Sequence, residues 1–238
     1  MQLSKLEDFA YEELKKNGLF LFRIRDIALR LEVNKEKAYN LVKALKKKNA
    51  IEKIGKGFFA FKDVDEMAIA TGIHYPSYVS FWSALSYYGL SDQMPKKIFL
   101  VTTKYTKEVN NFRYVTLSKK RFFGYTAVGK ITIAEKEKAI IDSLLFPKYA
   151  GGIKEIIKCI ETALKSGTID IKKLIGYALK VESKAVLRRL GYIIVPFDSK
   201  IKAIENMRKY IGKGYELFDP NLKRKNKFNK KWLLDVNI

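Results

Sequence analysis

The stretch from residue 35 to residue 61 restricts the fold more than any other part of the sequence. Its first half places apolar residues at the i, i+3, i+4 and i+7 positions of one helix face: Ala38, Leu41, Val42 and Leu45. This stripe predicts a helix over residues 35–48, with Asn34 as its N-cap. Residues 51–54 and 58–61 flank Gly55-Lys56-Gly57, which predicts a β-hairpin with a tight turn.

Two more helices are predicted upstream of this stretch. Leucine and alanine at helical spacing predict a helix over residues 3–16 that ends at Asn17-Gly18, and a shorter helix fits residues 25–32. Three helices followed by a hairpin is the element order of a winged helix-turn-helix. We therefore expect a DNA-binding domain over residues 1–62, and the acidic run at residues 63–66 marks its expected boundary.

The rest of the chain predicts an α+β domain over residues 63–199, followed by a basic C-terminal helix and tail over residues 200–238. Strands are expected at 97–103, 112–117 and 130–133, and another strand is expected to begin within residues 122–125. A polar connection is expected at 104–111. Helices are expected at 79–88, 134–146, 153–165, 171–179, 183–190 and 202–210. The predicted fold class is thus α+β, with a winged helix-turn-helix, a small sheet and a helical C-terminal half.

The charge of the chain indicates the kind of partner. Lys and Arg number 47 and Asp and Glu 25, a formal net charge of +22, which favours a polyanionic partner such as double-stranded DNA. The alternative is a general lysine bias of the kind that thermophiles show. No apolar run reaches the ~18–20 residues that span a bilayer, and no secretory signal begins the chain, so we expect a cytoplasmic protein without membrane contact.

The predicted contacts to DNA lie on the helix of residues 35–48 and on the hairpin. The helix face opposite the apolar stripe is rich in lysine, and an α-helix fits the major groove, where Asn bonds adenine and Lys reaches guanine. The predicted DNA-contacting residues are Asn34, Lys35, Tyr39, Asn40, Lys43, Lys46, Lys47, Lys53 and Lys56. The alternative is a solvated, lysine-rich helix in a winged helix that binds protein.

Four motifs beyond residue 77 resemble, in order, those of the AbiEi-type antitoxins. Residues 78–90 (YVSFWSALSYYGL) resemble the SALxYxGL helix of that family, and residues 98–103 (IFLVTT) resemble a strand ending in threonines. The aromatic segments at 112–115 and 122–125 follow, and then residues 134–142 (AEKEKAIID) resemble the AxxEKALLD helix. With the predicted winged helix, the resemblance covers roughly residues 3–145.

The resemblance implies a function in abortive infection, a form of phage defence. It implies a DNA-binding antitoxin of a toxin–antitoxin system that represses its own operon, with a nucleotidyltransferase-like toxin as functional partner. An orphan regulator of the same build is the related alternative. Regulators of this class commonly bind two half-sites of an operator, so a homodimer on DNA is expected. The family implies no catalytic residue.

An enzymatic alternative is a metal-dependent nuclease. Glu135-Lys136-Glu137-Lys138 and Asp142 offer acids and a lysine, but in a predicted helix, where we expect solvated charges and inward-facing Ala139, Ile140 and Leu144. With one Cys and one His, the chain cannot form an internal disulfide or a structural zinc site. It also contains no Walker loop and no dinucleotide-binding fingerprint, and we expect no metal and no cofactor. Cys159 is expected in the core.

The basic run at residues 223–231 has two open interpretations. It has the composition of an arm that binds phosphates, and equally that of a solubilising tail. The apolar Trp232, Leu233 and Leu234 that follow predict that the end of the chain docks on the protein.

Overall fold

The computed structural model describes residues 2–55, 57–197 and 202–238. It is a mixed α+β structure, which confirms the coarse fold class. The chain divides into two compact units, one of Met1–Tyr75 with Glu108–Phe112 and one of Pro76–Lys107 with Arg113–Ile238. Among the helices of the described residues, none combines the length and the apolarity needed to cross a membrane.

The first unit contains the three helices and the hairpin that the sequence predicts. Its elements are α1 (Lys5–Lys16), β1 (Leu21–Phe22), α2 (Ile24–Arg30), α3 (Lys35–Lys47), β2 (Ile51–Gly55), β3 (Phe58–Phe61) and α4 (Glu66–Ile73). The strands form an antiparallel sheet in the order β1-β3-β2. The short strand β1 was not predicted, because two residues carry no alternation that a sequence pattern could show.

The core of the first unit forms between α3 and this sheet. All four residues of the predicted apolar stripe on α3 are buried. Three of them, Ala38, Val42 and Leu45, pack in one cluster with residues such as Phe22 and Phe61. The N-termini of the helices are capped: Ser4 and Glu7 form a reciprocal capping box on α1.

The first unit extends beyond the boundary expected at residue 62. Helix α4 belongs to it and packs against β1, where a Cβ atom on Gly72 would lie 2.8 Å from Leu21. The division therefore falls after Tyr75 and not after Lys62. The acidic run at residues 63–66 is not a linker, because Asp65 caps α4 by accepting a hydrogen bond from the backbone N–H of Met67.

The following part of the chain contains one larger sheet and five helices of the described residues. Its elements are β4 (Ser77–Val79), α5 (Phe81–Tyr87), β5 (Ile98–Thr102), β6 (Lys107–Val109), β7 (Phe112–Thr116), β8 (Tyr125–Val128), β9 (Ile131–Ala134), α6 (Lys136–Leu145), α7 (Ile153–Lys165), α8 (Ile171–Val181) and α9 (Lys184–Ile194). The six strands have the order β6-β7-β5-β4-β9-β8. Strand β4 pairs antiparallel with β5 and parallel with β9.

Two short strands correct the predictions for this part. Val79 ends strand β4 instead of beginning a helix, because residues 77–79 pair with β5 and the helix starts only after Ser80. The segment 104–111, predicted as a polar connection, contains β6. The other predicted helices and strands are confirmed to within a few residues at their ends.

The C-terminal segment is part of the second unit and not a free tail. It contains α10 (Lys202–Arg208), β10 (Glu216–Leu217), β11 (Phe228–Asn229) and β12 (Leu234–Asp235), and its sheet has the order β10-β12-β11. The boundary predicted between residues 199 and 200 lies outside the described residues. Trp232 is buried, which confirms that the end of the chain docks.

Candidate nucleic-acid interface

The first turn of α3 is fixed by Asn34. Its side-chain oxygen accepts a hydrogen bond from the backbone N–H of Lys37 at 2.8 Å, so the predicted N-cap is confirmed. That oxygen therefore takes part in the cap, and the amide nitrogen of Asn34 can still donate hydrogen bonds. Substitution of such a cap typically costs about 1 kcal/mol of stability.

The outer face of α3 is exposed, as the sequence predicts. Tyr39 is 54% exposed, and the predicted polar contacts beside it are exposed as well: Lys35, Asn40, Lys43, Lys46 and Lys47. Among the described residues, none of these lysines has an ion-pair partner. The helix carries five lysines against one acid, Glu36, so its outer face is strongly positive.

Lys48, directly after α3, differs from the lysines of the outer face. Its Nζ lies 2.5 Å from a carboxylate oxygen of Glu7 on α1. The hydrogen bond from Lys48 holds the pKa of Glu7 below its ordinary value. Lys48 is thus tied to the body of the first unit, whereas the outer lysines are available to a ligand.

The hairpin of β2 and β3, which follows α3 in the chain, carries further cations. Lys53 on β2 is exposed and pairs with Phe59 across the hairpin. Lys56, the other predicted hairpin contact, lies outside the described residues. Arg23 was missed by sequence reasoning: its guanidinium stacks 4.1 Å from the ring centroid of Phe58, next to the turn. Only the pairing of β1 with β3 brings these two residues together, and no local pattern signals it.

The acids and the lysine of the nuclease alternative lie elsewhere, in the second unit, and the expectation that they are solvated is wrong. Lys138 and Asp142 on α6 form an ion pair in which both side chains are fully buried. The Tyr78 hydroxyl accepts from Lys138 at 3.0 Å and donates to Asp142 at 3.1 Å, and the Ser80 hydroxyl donates to Asp142 at 2.8 Å. Burial, and then the charge of Asp142, raise the pKa of Tyr78. Ala139, Ile140 and Leu144 are buried, as expected.

Glu135, the N-cap of α6, and Glu137 in its first turn connect α6 to α8. Glu137 is mostly buried and accepts from the backbone N–H of Asp170 at 3.0 Å. Lys173 bridges Glu137 at 3.3 Å and Glu135 at 3.4 Å. The Tyr177 hydroxyl donates to Glu135, and burial, with this hydrogen bond, raises the pKa of Tyr177 to about 12. These charges thus hold two helices together.

No grouping of His, Cys, Asp and Glu suited to a metal ion occurs within residues 2–55, 57–197 and 202–238. Cys159 is buried on α7, as predicted, and burial raises the pKa of its thiol to about 12.

No protein-family model matches the chain, and no curated protein matches it. The resemblance to the AbiEi-type antitoxins therefore remains a prediction.

Proposed function

We propose that the chain is a DNA-binding transcriptional regulator whose first unit contains a winged helix-turn-helix. The observation that carries the proposal is the outer face of α3, where exposed lysines that have no ion-pair partner among the described residues surround Tyr39 and Asn40. Exposed cations without ion-pair partners are expected where phosphates supply the counter-charge. In this proposal α3 enters the major groove, and the hairpin of β2 and β3 is the wing beside it.

The roles of the side chains follow from their position along α3. Asn40 lies in the N-terminal half of α3, the half of a recognition helix that reaches base edges, and Lys43 follows one turn later on the same face. Asn40 and Lys43 are therefore proposed to read adenine and guanine. Lys46, Lys47 and Lys53 are proposed to contact phosphates, which position the protein without reading sequence. A second copy of the chain would supply a second α3 for a neighbouring half-site.

The biological role is proposed from the motif resemblance. The regulator would act as an antitoxin that represses its own operon, with a nucleotidyltransferase-like toxin as functional partner, or as an orphan regulator of the same build. The nuclease alternative has less support, because Lys138 and Asp142 are buried against Tyr78 and do not face a surface on which a phosphodiester could lie.

Binding of the full chain to the DNA upstream of its own gene tests the proposal. Replacing Asn40 and Lys43 by Ala removes no buried contact, so the fold persists while affinity falls by roughly 1–3 kcal/mol per lost base contact. The matched control is Lys16→Ala on α1, which removes one exposed charge, as Lys43→Ala does. A gel shift in which the double variant and the parent bind equally well would overturn the proposal.

A further inference from the structure

The last part of the second unit presents a second cationic surface. The segment of residues 221–231, here called the basic loop, begins a few residues after β10, runs through β11 and contains no acidic residue. Its cations are Lys223, Arg224, Lys225, Lys227, Lys230 and Lys231, and all are exposed. Only Lys231 among them forms an ion pair in the described part of the chain, with Glu205 at 3.4 Å.

The backbone of the basic loop is held by buried polar side chains. Asp235, 3% exposed, accepts hydrogen bonds from the backbone N–H groups of Asn226 at 3.2 Å and Lys227 at 3.1 Å. Asn237, 1% exposed, donates to the carbonyl oxygen of Lys223 at 3.2 Å. The lysines therefore project from a preformed backbone, which lowers the ordering cost of binding a polyanion.

Two aromatic rings stand beside these cations. Tyr215 and Phe228 are both exposed, and their ring centroids lie 4.6 Å apart at an interplanar angle of 52°. They line an open cleft of about 310 Å³ together with Arg224. The two acids at the cleft are both engaged: Asp235 holds the loop backbone, and Glu216 lies 3.8 Å from Arg188.

We propose that this face binds single-stranded nucleic acid. An unpaired base stacks on the Tyr215–Phe228 pair, and its neighbouring phosphates contact the lysines of the basic loop. A duplex keeps its base faces stacked inside and would use only the cations. An anionic membrane would use the cations but not the aromatic cleft, which is lined partly by polar groups. The proposal does not depend on the role of α3.

The test uses the full chain with Lys43, Lys46 and Lys47 replaced by Gln, so that α3 contributes little to binding. The probe is a labelled oligothymidylate of about 15 nucleotides, followed by fluorescence anisotropy. Phe228→Leu keeps an apolar side chain but removes the stacking face, and we expect it to weaken binding at least about fivefold. Equal binding by this variant and its parent would contradict the stacking role.

A second variant tests whether the lysines of the basic loop contact phosphates. Replacing Lys223, Lys225 and Lys227 by Gln leaves the backbone hydrogen bonds of the loop in place. It should make the slope of log K against log salt less negative by about 2, since each of the three lost phosphate contacts on a single strand contributes about −0.7. The matched control removes the same charge from α7, where Lys154, Lys158 and Lys165 are exposed and form no ion pair within the described residues.

Several further results would overturn the proposal. The first is an unchanged slope for the loop variant, and the second is an equal loss for the α7 control. The third is binding to phosphatidylserine vesicles but not to the oligothymidylate, which would assign the surface to a membrane. A blunt duplex that binds as tightly as the single strand, with no effect of Phe228→Leu, would reduce the surface to general charge attraction.

Discussion

At the residue scale, the ion pair of Lys138 and Asp142 is buried, although the sequence predicted solvated charges at these positions. The i,i+4 spacing of these residues is equally common on an exposed helix face, where such a pair contributes only ~0–1 kcal/mol. What distinguishes the pair is its burial and its bonds to Tyr78, which is 60 residues from Lys138 in the chain. A contact between residues so far apart in the chain cannot be predicted from a local sequence pattern.

Removing one partner of the pair should destabilise the protein strongly. Lys138→Met leaves Asp142 buried without its counter-charge, and we expect the free energy of unfolding to fall by about 3–5 kcal/mol. The measurement is urea denaturation at neutral pH. The control is Lys136→Met on the same helix, whose side chain is only half-buried and forms no ion pair among the described residues, and which should cost less than about 1 kcal/mol.

The double variant Lys138→Met with Asp142→Leu completes a double-mutant cycle. Because the second substitution removes the stranded charge, the double variant should be less destabilised than the sum of the single variants by more than about 1 kcal/mol. Additive losses would mean that the two charges do not interact in the folded protein.

At the element scale, prediction succeeded where an element is long enough to show its own period. Helix α3, with its cap at Asn34 and its four-residue stripe, and helix α7 over residues 153–165 are found as predicted. Strands of two or three residues, such as β1 and β4, were missed, because their identity comes from partners distant in the chain. The hairpin was found because Gly55 and Gly57 mark its turn.

Two helical glycines test the packing of these elements. On α9, a Cβ atom at Gly191 would lie 2.2 Å from the ring of Trp232, whereas at Gly176 on α8 it would meet no atom within 4 Å. Gly191→Ala should therefore destabilise the protein by about 1–3 kcal/mol through overpacking. Gly176→Ala should stabilise it by roughly 0.5–1 kcal/mol, since alanine favours the helix.

The two stabilities are compared through the urea concentration at which half of each variant is unfolded. Each substitution adds one methyl group to a helix, so intrinsic helix propensity is matched and only the surroundings differ. A Gly191→Ala protein as stable as Gly176→Ala would show that Trp232 does not pack on α9.

At the scale of the whole molecule, the net charge of +22 predicted a polyanionic partner but not the places where it would bind. The outer face of α3 could be predicted from spacing alone, because the buried stripe determines which side chains point outward. The basic loop could not be interpreted in this way. Its two sequence interpretations, a phosphate-binding arm and a solubilising tail, require the same composition. The hydrogen bonds of Asp235 and Asn237 that hold the loop backbone join residues without a local pattern.

The central claim is that α3 reads base edges in the major groove, and methylation interference on the DNA upstream of the gene tests it most directly. Methylation of guanine N7 changes only the major-groove edge. We predict that it blocks binding of the parent chain at discrete positions, and that Lys43→Ala removes the effect at one of them while Lys16→Ala retains the full pattern. Binding of the parent that is insensitive to N7 methylation at every position would contradict the account.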